Sequence, residues 1–286
     1  MRVLIFAAVA ANVLATGAWA ADKAASTAVV VASPGLSDWR TPDAQNLLVI
    51  DTNKGRIIFE LAPSVAPASV ARVKALTRSG LYNGRSFFRV VDNFMDQTGD
   101  PLDTGAGGSA LPNLPSEFTF RRGADILLAV VAKEAGIEAG FVGTLPVISQ
   151  TMDLGLLTAD QKVKAFGTFC AGVGGMARAE DAASGNSQFF LMRGPTTNLD
   201  QKYTPFGRVI AGMDVVAAIK LGEPVPVPQD KMLKVRVLAD IPPAERPTVR
   251  VIDGAGPWFA ALVARVRAAK GADFGLCNLD FPSEVK

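Results

Sequence analysis

The sequence FFRVVDNFMDQTGD, residues 87–100, has the composition of buried β-structure but carries polar side chains that burial disfavours. Residues 85–91 and 93–100 each predict a strand segment, and turn-forming residues appear only at the end of the second segment. Arg89 and Gln97 lie within these segments. An isolated arginine in a strand is typical of a surface ion pair, so only a wider pattern can give Arg89 a more specific role.

Strands and helices are predicted on both sides of this segment. Residues 46–61 read as two strands joined by a turn at Thr52–Gly55, which is a strong hairpin signal. Helices are predicted at residues 66–80 and 212–222, because the apolar residues of each recur on one face and a glycine ends each pattern. Further strands are predicted at residues 186–193, 203–210 and 231–240. Many short strands with two separated helices are typical of a β-sandwich or a β-barrel.

Two parts of the chain differ from this pattern. Within residues 123–165, residues 124–136 fit either a helix or a strand, and residues 158–166 predict a short helix capped at its first residue. The C-terminal residues contain an amphipathic helical pattern at 256–271. We expect this helix to pack against the rest of the chain, and a partner-binding or membrane-surface helix is the alternative.

The composition excludes several kinds of function. The chain has 286 residues with a formal net charge of +2 and no block of like charge, so nucleic acid is not an expected partner. It has no histidine, which excludes a histidine general base, a Ser-His-Asp triad and most zinc sites. No EF-hand spacing or phosphate loop is present, so neither a metal nor a cofactor is expected. Chemistry that needs no proton transfer is therefore favoured.

The N-terminus predicts export. A positive residue precedes a mostly apolar run at residues 3–14, and Ala-Trp-Ala at residues 18–20 has the pattern of a cleavage site. Residues 1–20 therefore read as a secretory signal peptide, and a membrane anchor is the alternative. Residues 21–43, rich in alanine, serine, proline and aspartate, predict a flexible leader.

The two cysteines, Cys170 and Cys277, are candidates for one disulfide. An even number of cysteines in an exported protein permits such a bond, and closing a loop of about a hundred residues is worth ~4–5 kcal/mol in the entropic model. Two buried free thiols are the alternative. A bond would link the C-terminal residues to the region that contains residues 123–165, so these two additions would pack together.

Two long stretches resemble the cyclophilins, a family of proline cis/trans isomerases. Residues 49–101 resemble the first half of the family sequence, and residues 185–219 resemble the second half. The resemblance covers roughly residues 45–122 and 166–240. It implies a mainly β fold, namely a closed eight-stranded antiparallel cyclophilin-like β-barrel capped by two α-helices, in agreement with the strands and helices predicted above.

The same resemblance implies the organisation of the chain into domains. Residues 44–240 are expected to form a cyclophilin-like isomerase domain, interrupted by an insertion at about residues 123–165. Residues 241–286 are expected to form a C-terminal extension. The signal peptide and the flexible leader precede both.

Site residues are implied by the resemblance position by position. Arg89 matches the family's catalytic arginine, and Gln97 is a neighbouring amide that can hold the guanidinium in place. The positions that match the substrate pocket are Phe94, Met95, Ala177, Arg178, Gln188, Phe190, Leu199 and Tyr203. The sequence departs from the family pattern at Phe88 and Tyr203, where many members have histidine, at Asn198, where human-type members have tryptophan, and at Arg178, where the family has asparagine.

The reaction suits these residue types. Rotation about an X–Pro bond crosses a barrier of about 18–20 kcal/mol because it breaks amide resonance. The proline nitrogen pyramidalises in the twisted state, and a guanidinium aimed at it stabilises that state rather than the planar ground states. Arginine is suited to this task because it stays charged and presents several donors in a rigid fork.

The sequence therefore predicts an exported peptidyl-prolyl cis/trans isomerase, periplasmic if the source is a bacterium with two membranes. We expect it to act as a monomer on proline-containing segments of unfolded or flexible exported proteins, without membrane insertion once the signal peptide is removed. The alternative is a non-catalytic cyclophilin-like module that binds a peptide or a partner in the periplasm. A secreted β-sandwich that binds a partner is a third hypothesis.

Overall fold

Residues 32–286 are described by the computed structural model, and this part of the chain is mainly β. The predicted signal peptide, residues 1–20, and residues 21–31 of the predicted leader lie outside the described part. Within residues 32–286, no helix combines the length and the apolar character needed to cross a bilayer.

The described regular structure consists of three α-helices, sixteen strands and several short 3-10 helices. The α-helices are α1 (Pro67–Arg78), α2 (Met213–Ala218) and α3 (Pro257–Lys270). The strands are β1 (Trp39–Arg40), β2 (Leu47–Thr52), β3 (Gly55–Leu61), β4 (Arg89–Val91), β5 (Met95–Thr98), β6 (Phe120–Arg122), β7 (Ala129–Glu134), β8 (Ile137–Val142), β9 (Leu145–Gln150), β10 (Val163–Gly167), β11 (Val173–Met176), β12 (Phe189–Met192), β13 (Pro205–Ala211), β14 (Met232–Val237), β15 (Val249–Ile252) and β16 (Ser283–Val285). The 3-10 helices are Leu36–Asp38, Ala44–Asn46, Met152–Leu157, Thr197–Leu199, Leu238–Asp240, Gly271–Asp273 and Leu276–Asn278.

The main sheet has eight antiparallel strands in the order β14-β2-β3-β13-β11-β12-β5-β4. Among the described residues, its edge strands, β4 and β14, form no ladder with each other. An isolated bridge between Ser86 and Lys231 links the residues that precede these two strands. The prediction of a closed eight-stranded barrel is therefore wrong in this respect, because the sheet is open between β4 and β14.

The opening has a local cause in the segment that leads into β14. Residues 221–229 contain three prolines, which lack the N–H group that a ladder requires. Within this segment Gly222 forms an isolated bridge with Val90 of β4. The Val225 N–H then donates to the Phe88 carbonyl at 2.9 Å. The proline-rich segment thus covers the free edge of β4.

Both faces of β2 and β3 are buried, which explains their continuous apolar sequences. One face, with Leu48, Ile50 and Phe59, belongs to the core that α1 and α2 complete. The opposite face, with Val49, packs against the C-terminal residues around Val249. The main sheet is therefore sandwiched at this point between its own core and the C-terminal part of the chain.

The helices α1 and α2 lie where the sequence predicts helices. α1 begins at Pro67 and buries Val70 and Val73 on one face. The N–H groups of Ala68 and Ser69 in its first turn donate to one carboxylate, that of Glu117, at 2.8 and 2.9 Å. α2 is shorter than predicted, since it ends at Ala218 and the next residue is extended.

A second antiparallel sheet, in the order β6-β10-β9-β8-β7, contains most of residues 123–165. The stretch that fits either a helix or a strand forms β7 at its centre. The predicted helix at 158–166 is wrong. The Thr158 hydroxyl donates to carbonyls instead of capping a helix, and residues 163–167 form β10, in which buried and more exposed side chains alternate.

The C-terminal residues pack against this second sheet. Phe259 of α3 lies 5.8 Å, and Phe281 4.9 Å, from the ring centre of Phe141 in β8. The two C-terminal rings also stack on each other at 4.4 Å. The packing expected between the two additions is therefore present in the structure.

The prediction of a flexible leader does not hold for its described end. Residues 39–40 form β1, which pairs with β15 in a three-stranded sheet that β16 completes. The Trp39 ring lies 4.5 Å from the guanidinium of Arg250, and Arg40 forms a two-pronged ion pair with Glu60 at 2.7 and 2.8 Å. These contacts order a segment whose composition alone predicts flexibility.

One buried arginine connects the main sheet with both additions. Arg208 of β13 donates to the carbonyls of Ala171 and Thr144 at 3.2 and 3.4 Å. It also donates to the carbonyl of Leu279 and to the Asp280 carboxylate, at 3.3 and 3.4 Å. Burial lowers the pKa of Arg208 from its ordinary value, but the surrounding carbonyls satisfy its donors.

The structure joins Cys170 and Cys277 in a disulfide that closes a separation of 107 residues. Cys170 lies between β10 and β11, and Cys277 lies in the last 3-10 helix. The bridge therefore links the end of the second sheet to the C-terminal residues, where Phe141, Phe259 and Phe281 already pack together.

The disulfide is expected to stabilise the fold mainly by restricting the unfolded chain. Replacing both cysteines, Cys170→Ser with Cys277→Ser, should lower the free energy of unfolding by about 2–5 kcal/mol. Denaturant unfolding of the oxidised wild type and the double variant measures this difference. Peptide mapping without reductant should recover one cross-linked peptide, and two free thiols in the oxidised protein would contradict the pairing.

Candidate active site

Three neighbouring strands place the central residues of the site in one row. The register of the main sheet sets Arg89 of β4 opposite Gln97 of β5, and Gln97 opposite Phe190 of β12. Residues directly opposite each other in an antiparallel pair project from the same face of the sheet. The pairing of β4, β5 and β12 thus explains why a strand sequence carries Arg89 and Gln97.

This row lines an open cavity of about 220 Å³, here named the main cavity. Its lining residues are Arg89, Phe94, Met95, Gln97, Ala177, Arg178, Phe190, Leu199 and Tyr203. Nine of the ten substrate and catalytic residues predicted from the sequence therefore meet in one place. The tenth, Gln188, donates to carbonyls of the adjoining loop and accepts a hydrogen bond from Gln97.

Other aromatic rings pack against the apolar wall of the main cavity and support it. Phe190 is 4% exposed, and its ring lies 5.8 Å from the rings of both Phe169 and Tyr203. Leu199 is the last residue of the 3-10 helix Thr197–Leu199, and the next residue, Asp200, holds the end of this helix in place. The Asp200 carboxylate there accepts the Phe169 N–H at 3.0 Å and a neighbouring threonine hydroxyl at 2.7 Å, while burial raises the pKa of Asp200 from its ordinary value.

A chain of side-chain hydrogen bonds fixes the polar edge of the cavity. Nη1 of Arg89 donates to Oε1 of Gln97 at 3.4 Å, and Nε2 of Gln97 donates to Oε1 of Gln188 at 3.0 Å. Gln188 in turn donates to the carbonyls of Gly105 and Gly107 at 3.0 and 2.7 Å. The amide of Gln97 is therefore oriented with its oxygen towards Arg89.

Glu223 is a site residue that the sequence did not reveal. Its Oε1 accepts a hydrogen bond from Nε of Arg89 at 2.5 Å. The backbone contacts of Gly222 and Val225 with β4 hold the intervening Glu223 beside Arg89. The proline-rich segment has no periodicity, and 134 residues separate the two partners, so no pattern in the sequence could have indicated this contact.

Arg178 lies between the main cavity and a second cavity of about 240 Å³, here named the side cavity. Its Nε donates to the Lys202 carbonyl at 2.9 Å, and its Nη1 donates to the carbonyls of Ala179 and Glu180 at 2.8 and 3.0 Å. The guanidinium carbon lies 4.6 Å from the ring centre of Tyr203. The arginine is thus held on three carbonyls and an aromatic face.

Of the other departures from the family pattern, Tyr203 lines the main cavity, whereas Phe88 and Asn198 line neither cavity. Phe88 is 5% exposed and packs beneath the loop at Gly105. It therefore acts as an apolar support for the loop that Gln188 holds. Asn198 is exposed in the 3-10 helix that carries Leu199, and it lines neither cavity.

A buried carboxyl group lies on the opposite face of β5. Asp96 is fully buried, accepts a hydrogen bond from Nη1 of Arg193 at 3.1 Å, and leaves its second oxygen without a partner among the described residues. Arg193 also donates to three carbonyls at the end of α2. Burial raises the pKa of Asp96 to about 7, and the attraction of Arg193 only partly opposes this rise.

Comparison with known proteins identifies the family of this fold and site. The family model described as "Cyclophilin type peptidyl-prolyl cis-trans isomerase/CLD" matches residues 47–237, about two thirds of the chain. The chain therefore belongs to the cyclophilin-type peptidyl-prolyl cis-trans isomerases. Its enzymatic activity is accordingly the isomerisation of peptidyl-prolyl bonds.

Relatives from bacteria and fungi support the same assignment. A "Probable peptidyl-prolyl cis-trans isomerase" of Brucella suis is 32% identical over 214 residues, which cover 69% of this chain and 85% of the relative. A "Peptidyl-prolyl cis-trans isomerase-like 1" of Aspergillus oryzae is 32% identical over 197 residues, covering 68% of this chain and 96% of the relative.

The crystal structure of cyclophilin AquaCyp293 from Hirschia baltica is similar with a TM-score of 0.79 and 36% identity. The match covers 86% of this chain and 93% of that protein. Since residues 47–237 make up only about two thirds of the chain, the likeness extends beyond the part that the family model matches.

The pKa of Asp96 predicts how stability depends on pH. Because the folded state holds this proton more tightly than the unfolded state, the free energy of unfolding should fall as pH rises from about 4 to 7. The chain has no histidine, so few other groups titrate in the upper part of this window. Between pH 5 and pH 8 the loss due to Asp96 should be on the order of 2 kcal/mol.

Denaturant unfolding of the wild type and of Asp96→Asn at pH 5 and pH 8 tests this expectation. The variant should show little of the decrease in the free energy of unfolding that the wild type shows between these two pH values. Asp92→Asn is the matched control, because Asp92 also faces Arg193, at 3.7 Å, but is 63% exposed. It should behave like the wild type. An Asp96→Asn variant that keeps the full wild-type pH dependence would show that another group is responsible.

Proposed function

We propose that this isomerase works through Arg89, which stabilises the twisted X–Pro amide, and that its substrates are exported proteins. The observation that supports the first part is the convergence of Arg89 with Phe94, Met95, Phe190 and an apolar wall around one open cavity. Such a cavity offers a seat for a proline ring, with a guanidinium at its edge. The described part of the second sheet contributes no residue to the cavity lining and leaves it open.

The bonds of Arg89 determine which of its donors serve the substrate. Glu223 takes Nε, and Gln97 takes one hydrogen of Nη1. Nη1 also donates to the sulfur of Met95 at 3.9 Å. Among residues 32–286, no acceptor bonds to Nη2, so this nitrogen remains for a substrate. A guanidinium fixed in this way needs little reorganisation when the proline nitrogen gains its lone pair, which is the condition for stabilising a transition state electrostatically.

The proposal of exported substrates rests on the sequence of residues 1–20, which has the three parts of a signal peptide. In an oxidising compartment the pair Cys170 and Cys277 would form its bond and keep it. Unfolded or flexible exported chains with proline would then be the available substrates. The alternative of a non-catalytic binding module is less favoured, because the family and the relatives are isomerases.

Replacing the guanidinium tests the mechanism. Arg89→Ala should lower kcat/KM for a proline peptide by roughly 10²–10³-fold, as the loss of a preorganised donor does in other enzymes. A protease-coupled or NMR exchange assay of cis/trans isomerisation measures the rate. Arg121→Ala is the matched control, because Arg121 is an exposed arginine of the second sheet that pairs with Asp160. An Arg89→Ala enzyme as fast as the control would contradict the mechanism.

Glu223 is expected to orient the guanidinium. Since the pair is largely exposed, Glu223→Ala should lower kcat/KM by roughly three- to fivefold, mainly through kcat. In the Arg89→Ala background the same replacement should change nothing further, because the group that it orients is gone. Equal effects in both backgrounds would show that Glu223 acts independently of Arg89.

A further inference from the structure

The side cavity extends the main cavity along the surface. The two cavities share the lining residues Gln97, Ala177 and Arg178, so they lie side by side. An extended chain advances about 3.3–3.6 Å per residue. A peptide whose proline occupies the main cavity therefore places a residue close to that proline at the side cavity.

Most polar side chains around the side cavity are already committed to bonds within the protein. The oxygen of the Asn186 side chain accepts the N–H and the hydroxyl of Ser109 at 2.7 and 2.6 Å. Its nitrogen donates to the Leu111 carbonyl and to the Asn113 side chain at 2.9 and 3.0 Å. Asn186 therefore holds the loop above it and has no donor left for a ligand.

The other polar groups of the lining are committed in the same way. Gln188 donates both hydrogens of Nε2 to carbonyls and accepts from Gln97. The Ser184 hydroxyl donates to the Asp181 carbonyl and accepts the Ala179 N–H. The side cavity thus offers few free polar groups of its own.

Arg178 is the exception. Its Nε and Nη1 are used by three backbone carbonyls, but among the described residues nothing accepts from Nη2. No carboxylate of residues 32–286 forms an ion pair with it, and this includes the adjacent Glu180 and Asp181. Arg89, by contrast, is ion-paired with Glu223. The uncompensated positive charge of the two cavities is therefore that of Arg178.

We propose that Arg178 makes this isomerase prefer prolines that have an acidic side chain close by in the sequence. The inference rests on the proposed function, since it concerns which peptides the two cavities accept. A guanidinium only donates hydrogen bonds, so its free edge requires an acceptor, and a carboxylate satisfies both its donors and its charge. The three carbonyls and the Tyr203 ring hold the guanidinium in place before the peptide binds.

A matched peptide series tests the preference. Each peptide has one proline in an otherwise neutral sequence, with Glu, Gln or Lys placed at one of the two positions before or after it. At one or more positions we expect kcat/KM for the Glu peptide to exceed that for the Gln peptide by roughly two- to fivefold, as for an exposed ion pair. The Lys peptide should be slower than the Gln peptide, and added salt should reduce both differences.

Variants assign the preference to its residue. In Arg178→Gln the ratio of kcat/KM between Glu and Gln peptides should fall to about one, whereas Arg178→Lys should keep part of it because the charge remains. Lys234→Gln is the control, since it removes the same charge from an exposed position that lines neither cavity. Thermal unfolding of each variant establishes that the fold is intact.

Two results would overturn the inference: equal rates for Glu and Gln peptides at every position in the wild type, or a preference that survives in Arg178→Gln. Both are distinguishable from failure of the proposed function. The isomerisation of the Gln peptides and its loss in Arg89→Ala report on the mechanism alone, while the ratio between peptides reports on Arg178.

Discussion

The pairing of β5 with β4 on one side and β12 on the other is the constraint on which the site depends. It sets Arg89, Gln97 and Phe190 side by side, and a slip of one residue in either ladder would turn a side chain to the opposite face. The alternate residues of β5, Asp96 and Thr98, are fully buried on the other face, which opposes such a slip. The buried face of β5 thereby fixes the positions of the side chains that line the main cavity.

Arginine carries much of the polar organisation in a chain that lacks histidine. Arg193 joins β12 to the buried Asp96 and to the end of α2, and Arg208 joins the main sheet to both additions. In the lining of the main cavity, Arg89 is held by Glu223, and Arg178 is held by backbone carbonyls. In each case the planar fork of donors spans several elements at once, which a compact lysine ammonium could not do.

The sequence was sufficient for the parts of the structure that local patterns or long motifs encode. Period-two alternation and turn residues located most strands of the main sheet, and the motifs around Arg89 and Gln188 brought the site residues together. The helix expected at residues 158–166 failed because a local capping signal competed with pairing between β10 and its neighbours, and long-range pairing prevailed. The prediction of a closed barrel was wrong for a similar reason, since closure depends on how the proline-rich residues 221–229 pair with β4, which is a long-range contact.

The second sheet begins and ends at neighbouring strands. Its entering strand β6 and its leaving strand β10 pair with each other, Arg122 opposite Val163 and Phe120 opposite Ala165. The two ends of the intervening segment therefore meet at one short junction, and the main sheet needs only a gap of a few ångströms to accept it. Residues added at the exposed β7–β8 turn, residues 135–136, would therefore leave the register of the strands that line the main cavity unchanged, whereas Phe141 and Thr144 tie the rest of the second sheet to the core.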